Sequence, residues 1–159
     1  SLLSLNSSSS IVNEISDSLI LVYSGITRSS SEIQKQKNNS LCAPKLDQSL
    51  KKINSIAETF ASKLTNHTAT YDCFESLLKE SWAVKLANFP RSETTDLLVK
   101  IYDEAISAGA NCGKLLGAGG GGFFAFFVNP EKQDEFMSRM SSYVCLRTNI
   151  SFSGIEKIL

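Results

Sequence analysis

The stretch Lys114-Leu115-Leu116-Gly117-Ala118-Gly119-Gly120-Gly121-Gly122-Phe123-Phe124-Ala125-Phe126-Phe127-Val128 changes character twice. A short apolar lead meets a run in which five of six residues are glycine, and an aromatic run then takes over. An apolar run of this length, bounded by glycine before it and Asn129-Pro130 after it, predicts a strand buried on both faces. The glycines therefore join two strands. A tight hairpin needs positive φ at only one or two positions. Each further glycine destabilises a regular element by roughly 0.5–1 kcal/mol relative to alanine. The usual reason to accept that cost is close approach of the backbone to another group, typically a phosphate held by successive N–H groups in a concave nest. The competing explanation is a flexible connection, or backbone packed tightly on another domain. Dinucleotide and Walker loops both run from a strand into a helix, and the Walker lysine follows its glycines. Here a strand follows and Lys114 precedes, so the anion site at a helix N-terminus is not the applicable chemistry.

Outward from the loop, Asn129 before Pro130 is a helix start, with a side-chain cap and then proline at the first helical position. Phe136 and Met140 mark the inner face of that helix. Val144, Leu146, Thr148, Ile150 and Phe152 then alternate as a final strand. Upstream, Leu97, Ile101, Ala105 and Ala108 form a helical stripe that stops at Gly109. Tyr71, Phe74, Leu78, Trp82 and Leu86 form a second stripe, ended before Pro90. Leu46, Leu50, Ile53, Ala57, Phe60 and Leu64 form a third. Before them, Leu19 to Tyr23 is a β-prone run stopped at Gly25. Thr27-Arg28-Ser29 enters a further helix, where Ser29 and Glu32 have capping-box spacing. Residues 1–17 are serine-rich with no sustained period and are expected to be a poorly specified lead-in. Strands and helices are mixed without strict alternation. The expected class is α+β, with several helices packed on one face of a mainly antiparallel sheet.

Composition narrows the function classes without naming one. The chain has 159 residues, 16 basic and 16 acidic side chains, 42% hydrophobic and 20% charged residues. That is one domain, able to bury a core without disulfides or metal. Zero net charge argues against nucleic acid held by phosphate neutralisation. No apolar run approaches the roughly 18 residues of a membrane span. Cys42, Cys73, Cys112 and Cys145 form no CxxC pair, and the lone His67 completes no zinc set. Free thiols are expected, which favours a reducing cytoplasm.

The run from Ala108 to Phe123 resembles the third conserved motif of the GHMP kinases, and most of all that of the D-glycero-D-manno-heptose 7-phosphate kinases and close sugar-kinase relatives. Leu21-Val22-Tyr23-Ser24-Gly25-Ile26-Thr27-Arg28-Ser29-Ser30 is similar to that group's strand and Thr-Arg turn. Leu78-Lys79-Glu80-Ser81-Trp82 resembles its preceding helical segment, and Pro130-Glu131-Lys132 falls where the family resumes with a helix. The resemblance covers residues 17–159 in order. It implies a two-lobed, ATP-dependent sugar kinase whose Pro-x-x-x-Gly-Leu-Gly-Ser-Ser phosphate loop and catalytic acidic groups lie in an N-terminal lobe. Neither occurs in this sequence, which begins at Ser1. Residues 18–159 are therefore expected to be the C-terminal lobe alone, inactive by itself, with the N-terminal lobe as partner.

Carried over by the resemblance, Gly117, Ala118, Gly119, Gly120, Gly121 and Gly122 would form a wall beside the nucleotide phosphates and substrate. Phosphoryl transfer depends mainly on positioning and charge stabilisation, so such a wall contributes without a catalytic side chain. Arg28 and Lys114 are the candidates for contacting a sugar phosphate, one as a bidentate fork and the other as a point charge. Both are also explained as exposed basic residues at element ends. No catalytic residue or metal ligand is assigned within the chain, and ATP and Mg would be held mainly by the other lobe. The substrate implied is a heptose 7-phosphate or related sugar in nucleotide-sugar and surface-polysaccharide synthesis. The alternative is a non-catalytic binding or assembly module that keeps the fold. A large apolar patch beside the loop would distinguish a lobe awaiting its partner from such a module.

Overall fold

The computed structural model describes residues 10–27, 43–89, 92–117 and 121–151. In chain order the elements are α1 (Ser10–Asp17), β1 (Leu19–Tyr23), α2 (Ala43–Thr65), α3 (Tyr71–Leu86), α4 (Glu93–Ala108), β2 (Cys112–Leu115), β3 (Phe123–Phe127), a 3-10 turn (Pro130–Lys132), α5 (Gln133–Arg139) and β4 (Cys145–Arg147). The four strands form one sheet in the order β2-β3-β1-β4, and every neighbouring pair is antiparallel. The class is α+β, as the sequence pattern predicts.

Strand periodicity sorts the core onto two faces of this sheet. Ile20 and Val22 of β1, Phe124 and Phe126 of β3 and Leu115 of β2 share one face and are completely buried. They pack with Leu98, Ile101, Ala105 and Ala108 of α4 and with Phe136 of α5, so these helices cover that face. Phe124 and Phe126 stack at 5.3 Å, and Trp82 stacks on Tyr102 at 4.8 Å. Trp82 is thus a core residue. Gly113, opposite Phe126, leaves room for that ring: a Cβ there would stand 2.2 Å from it. The second face carries Leu19, Leu21, Ala125, Phe127 and Cys112, joined by Ile11 and Ile15 of α1, Phe60 of α2 and Tyr71, Phe74 and Leu78 of α3. Helices therefore also cover part of the opposite face.

Several local expectations hold. Gly109 ends α4 in the left-handed conformation at φ 119°. Asn129 accepts a hydrogen bond from the Glu131 N–H at 3.0 Å ahead of Pro130. His67 lies exposed between α2 and α3, at φ 57°. Cys73, Cys112 and Cys145 are free thiols.

Others change. Within the expected poorly specified lead-in of residues 1–17, Ser10–Asp17 form α1, which buries Val12 and Ile15 and accepts the Ile150 N–H on the Ser16 hydroxyl. In α4 the inner leucine is Leu98, whereas Leu97 is 42% exposed. In α2 the buried stripe runs through Ile53, Ile56 and Phe60 and leaves Leu50 exposed. Adjacent apolar residues sit 100° apart on a helix, so Leu97-Leu98 and Ile56-Ala57 each offer two stripes and the neighbouring element selects one. The last strand is only three residues long, and Val144, Leu146 and Ile150 are exposed while Cys145 faces the core. The helix expected after Thr27, with its Ser29–Glu32 cap, and Phe152 lie outside the described residues.

Candidate phosphate-side loop

The glycine loop is clamped at its base. Leu116 N–H donates to Phe123 O at 2.8 Å, so strand pairing persists one residue beyond β2. Gly117 then turns the chain at φ 70°. On the returning arm, Gly121 and Gly122 have φ of 135° and 93°. Gly122 N–H donates to Ile26 O at 2.9 Å, and Gly122 O accepts from Ser24 N–H at 2.8 Å. The loop is thereby fastened to the turn that leaves β1, where Gly25 has φ 72° and the buried Ser24 hydroxyl accepts from Ile26 N–H. A Cβ on Gly121 would lie 2.4 Å from Ile26 O. These three glycines thus have reasons internal to the chain, left-handed backbone and close packing, that precede any ligand. Ala118, Gly119 and Gly120 lie outside the described residues.

Two donors remain at the described loop positions. Gly117 and Gly121 N–H groups donate to no described residue, whereas those of Leu116 and Gly122 are committed. Backbone N–H groups are the donor type that binds phosphate oxygens, although these two are not successive in the chain.

Of the two basic candidates, Arg28 lies outside the described residues. Lys114 lines an apolar cleft of about 170 Å3 between α2 and α3, beside Ile56, Phe60, Phe74 and Leu78. It makes no ion pair or hydrogen bond among the described residues. The lysine that does reach the loop is Lys85, in the last turn of α3. Its Nζ donates to Leu115 O at 2.6 Å and to Gly117 O at 3.1 Å. Sequence reading passes over Lys85, because a lysine in a last helical turn is already explained by the helix dipole.

The loop borders an uncovered apolar row. Leu116 pairs with Phe123, Phe123 with Tyr23, and Tyr23 with Val144, so the four side chains share the second face across all four strands. Leu21 and Leu146 form the next rank. Leu116, Val144 and Leu146 are 42%, 58% and 47% exposed. Tyr23 and Phe123 contact each other at 5.1 Å and are half-buried.

Other reactive groups stand apart. Cys112 is fully buried in β2, and burial, with a smaller contribution from Glu75, pushes its thiol up to about 12. It lies in the core and not at a cleft. Glu104 accepts the Tyr143 hydroxyl, and Asp103 is exposed. They line a groove of about 820 Å3 between α4 and the end of α5, which shares no residue with the loop. Among the described residues no three His, Cys, Asp or Glu side chains are grouped to hold a metal ion. No described helix is long and apolar enough to cross a membrane.

Comparison with known proteins agrees with this geometry. The family model described as GHMP kinases C terminal matches residues 60–144, just over half of the chain. The chain is 32% identical over 124 residues to a D-glycero-alpha-D-manno-heptose 7-phosphate kinase from Campylobacter jejuni, covering 77% of this chain and 35% of that protein. Its fold matches mevalonate kinase from Methanococcus jannaschii with a TM-score of 0.66 at 20% identity, over 84% of this chain and 39% of that one. It also matches L. major mevalonate kinase, solved in complex with R-mevalonate, with a TM-score of 0.62 at 15% identity, over 84% of this chain and 43% of that one. The chain thus spans about a third of the curated relative's length. Its antiparallel sheet, its glycine loop between β2 and β3 and the family match together make it a member of the GHMP kinase C-terminal family.

Proposed function

We propose that this chain is the C-terminal lobe of an ATP-dependent sugar kinase that acts in the cytoplasm on a heptose 7-phosphate or a related sugar phosphate. The observation that carries this reading is the apolar row Leu116–Phe123–Tyr23–Val144 running directly off the glycine loop. The exposed aliphatic and half-buried aromatic side chains of this row lose hydrophobic free energy unless something covers them. A cover at that place would also close over the loop. An N-terminal lobe docked on the row would bring its own phosphate loop and acidic groups against residues 117–122.

In that arrangement the free N–H groups of Gly117 and Gly121 would hold a phosphate oxygen at the cleft wall. Bound ATP and Mg would supply the phosphoryl group and its charge neutralisation, with the metal held by phosphates and the other lobe. This chain would contribute fixed dipoles, which need no reorganisation during transfer. Arg28 and Lys114 remain the candidates for the sugar phosphate, Lys114 on the condition that its side chain swings out of the α2–α3 cleft.

A second reading has its own support. Gly117, Gly121 and Gly122 are accounted for by backbone conformation and by packing on Ile26, so a loop of this shape can exist in a non-catalytic binding or assembly module. The two readings separate in one assay. The 159-residue chain and an N-terminal GHMP lobe are purified separately, then ADP release from ATP is followed with D-glycero-D-manno-heptose 7-phosphate as acceptor. Turnover only in the mixture is expected. Turnover by the chain alone, or lobes that associate and transfer nothing to any sugar phosphate, would defeat the kinase-lobe reading.

A further inference from the structure

We infer that Lys85 is a positioning residue for the glycine loop, holding its entry arm in the shape that presents backbone N–H groups to an anion. This rests on the loop being the phosphate-side wall proposed above. The ammonium group comes from the last turn of α3 and crosses to two carbonyls of a different element, Leu115 O and Gly117 O. Those two carbonyls flank Leu116, whose own N–H is bonded to Phe123 O. The exit of β2 is thus gripped from both sides, by a backbone bond to β3 and by a charge-assisted bond to α3. Hydrogen bonds from an ionised donor are shorter and about twice as strong as neutral ones.

Among the described residues, the grip falls where the loop's entry arm has no other side-chain hydrogen bond. The returning arm is tied by backbone bonds between Gly122, Ile26 and Ser24. Among the described residues, Lys85 is the side chain that donates hydrogen bonds to the entry arm. Gly117 needs that help, because glycine at φ 70° has wide conformational freedom and no side chain to pack. A carbonyl oxygen that rotated toward the loop's open side would put partial negative charge where a phosphate should sit. Lys85 keeps the two oxygens turned to α3 and adds a positive charge behind them. The role belongs to tertiary structure, since the partners lie 30 and 32 residues further along the chain.

The test compares Lys85→Met, which keeps the stem and removes the donors, with Lys85→Arg, which keeps charge and donors. In the 159-residue chain, Lys85→Met is expected to move the backbone carbonyl carbon resonances of Leu115 and Gly117, while Leu116 amide protection stays, because its bond to Phe123 O does not involve Lys85. In the protein assembled with an N-terminal lobe, Lys85→Met is expected to lower kcat/KM for ATP about 10–100-fold, the scale of a loop misplaced by about 1 Å. Lys85→Arg is expected to restore most of that loss. Unmoved carbonyl resonances, or moved resonances with unchanged transfer, overturn the inference. Should Lys85→Met not fold, the wild-type ammonium decides: a slowly exchanging Lys85 Nζ signal coupled to the Leu115 and Gly117 carbonyls is expected, and a freely exchanging one overturns it. Moved resonances in an assembly whose wild type transfers no phosphate would instead reject the kinase reading and leave the tether as geometry alone.

Discussion

The two faces of the sheet are built from the same strands and the same kinds of residue, yet they end in opposite conditions. On one, Ile20, Val22, Leu115, Phe124 and Phe126 have no solvent exposure at all, sealed by α4 and α5. On the other, the same strands present Leu116, Tyr23, Phe123 and Val144 in a row that α1, α2 and α3 do not close over. Alternation in a strand tells which residues share a face. What covers that face is decided by elements distant in sequence, or by another polypeptide. The uncovered end is also the end where the glycine loop emerges, and the proposed docking of a second lobe rests on that coincidence.

Substitutions on the two faces should therefore differ sharply. The largest effect is expected on the sealed face. Phe126→Ala removes a ring stacked on Phe124 and packed near Tyr102 and Phe136, and should cost about 3–5 kcal/mol in urea unfolding. A loss under 1 kcal/mol would mean that this face is not the closed core described here. Next comes the loop clamp. Gly121→Ala forces a side chain into φ 135° and against Ile26 O, which should cost about 1–3 kcal/mol, with resonance changes confined to the loop and the β1 turn. A neutral Gly121→Ala would show that the loop is not fastened there.

A pH-dependent loss should appear in alkali. Burial raises the Cys112 thiol from 9.0 to about 12, and burial, with a smaller effect from Cys112, raises Tyr102 from 10.0 to about 12. Both groups bind their protons more tightly when folded. Their contribution is complete below pH 9, and it is lost as pH rises from there through about 12. The urea midpoint should fall steadily above pH 9 and the Cys112 thiol should stay unreactive until the chain unfolds. A midpoint that is flat from pH 9 to 11 would contradict this.

The smallest stability effect belongs to the uncovered face. Leu146→Glu, at a side chain already 47% exposed, should shift unfolding by no more than about 0.5 kcal/mol. Its consequence should fall on assembly, abolishing association with an N-terminal lobe in sedimentation or calorimetry. Unchanged association would move the docking surface away from this row.

Much of the fold is legible in the sequence. The strand after the glycines, the Asn129-Pro130 start, the Gly109 stop and the Tyr71–Leu86 stripe each depend on short-range rules of backbone conformation and periodicity. The errors share one cause. Leu97 stood for Leu98, Ala57 for Ile56, and the Val144 and Leu146 alternation for a buried face, because in each case adjacent positions were both suitable for burial and the packing partner made the choice. The site was legible only in part. The glycines announce a loop and Lys114 beside it is a candidate for the sugar phosphate, whereas the reach of Lys85 to Leu115 O and Gly117 O spans 30 and 32 residues and leaves no local signal.

Sequence alone thus determined most of the helices and strands, several of their stops, and that an unusual glycine loop would join two strands. Those outcomes depend on φ preferences, caps and apolar spacing, all of which act over a few residues. Tertiary structure decided which stripe of each helix turned inward, that α3 would reach across with Lys85 to the loop's entry arm, and that one end of a sheet face would be left exposed beside it. Those depend on contacts between residues 30 or more positions apart, where the free energy of packing, not local preference, selects among arrangements that the chain's pattern leaves equally available.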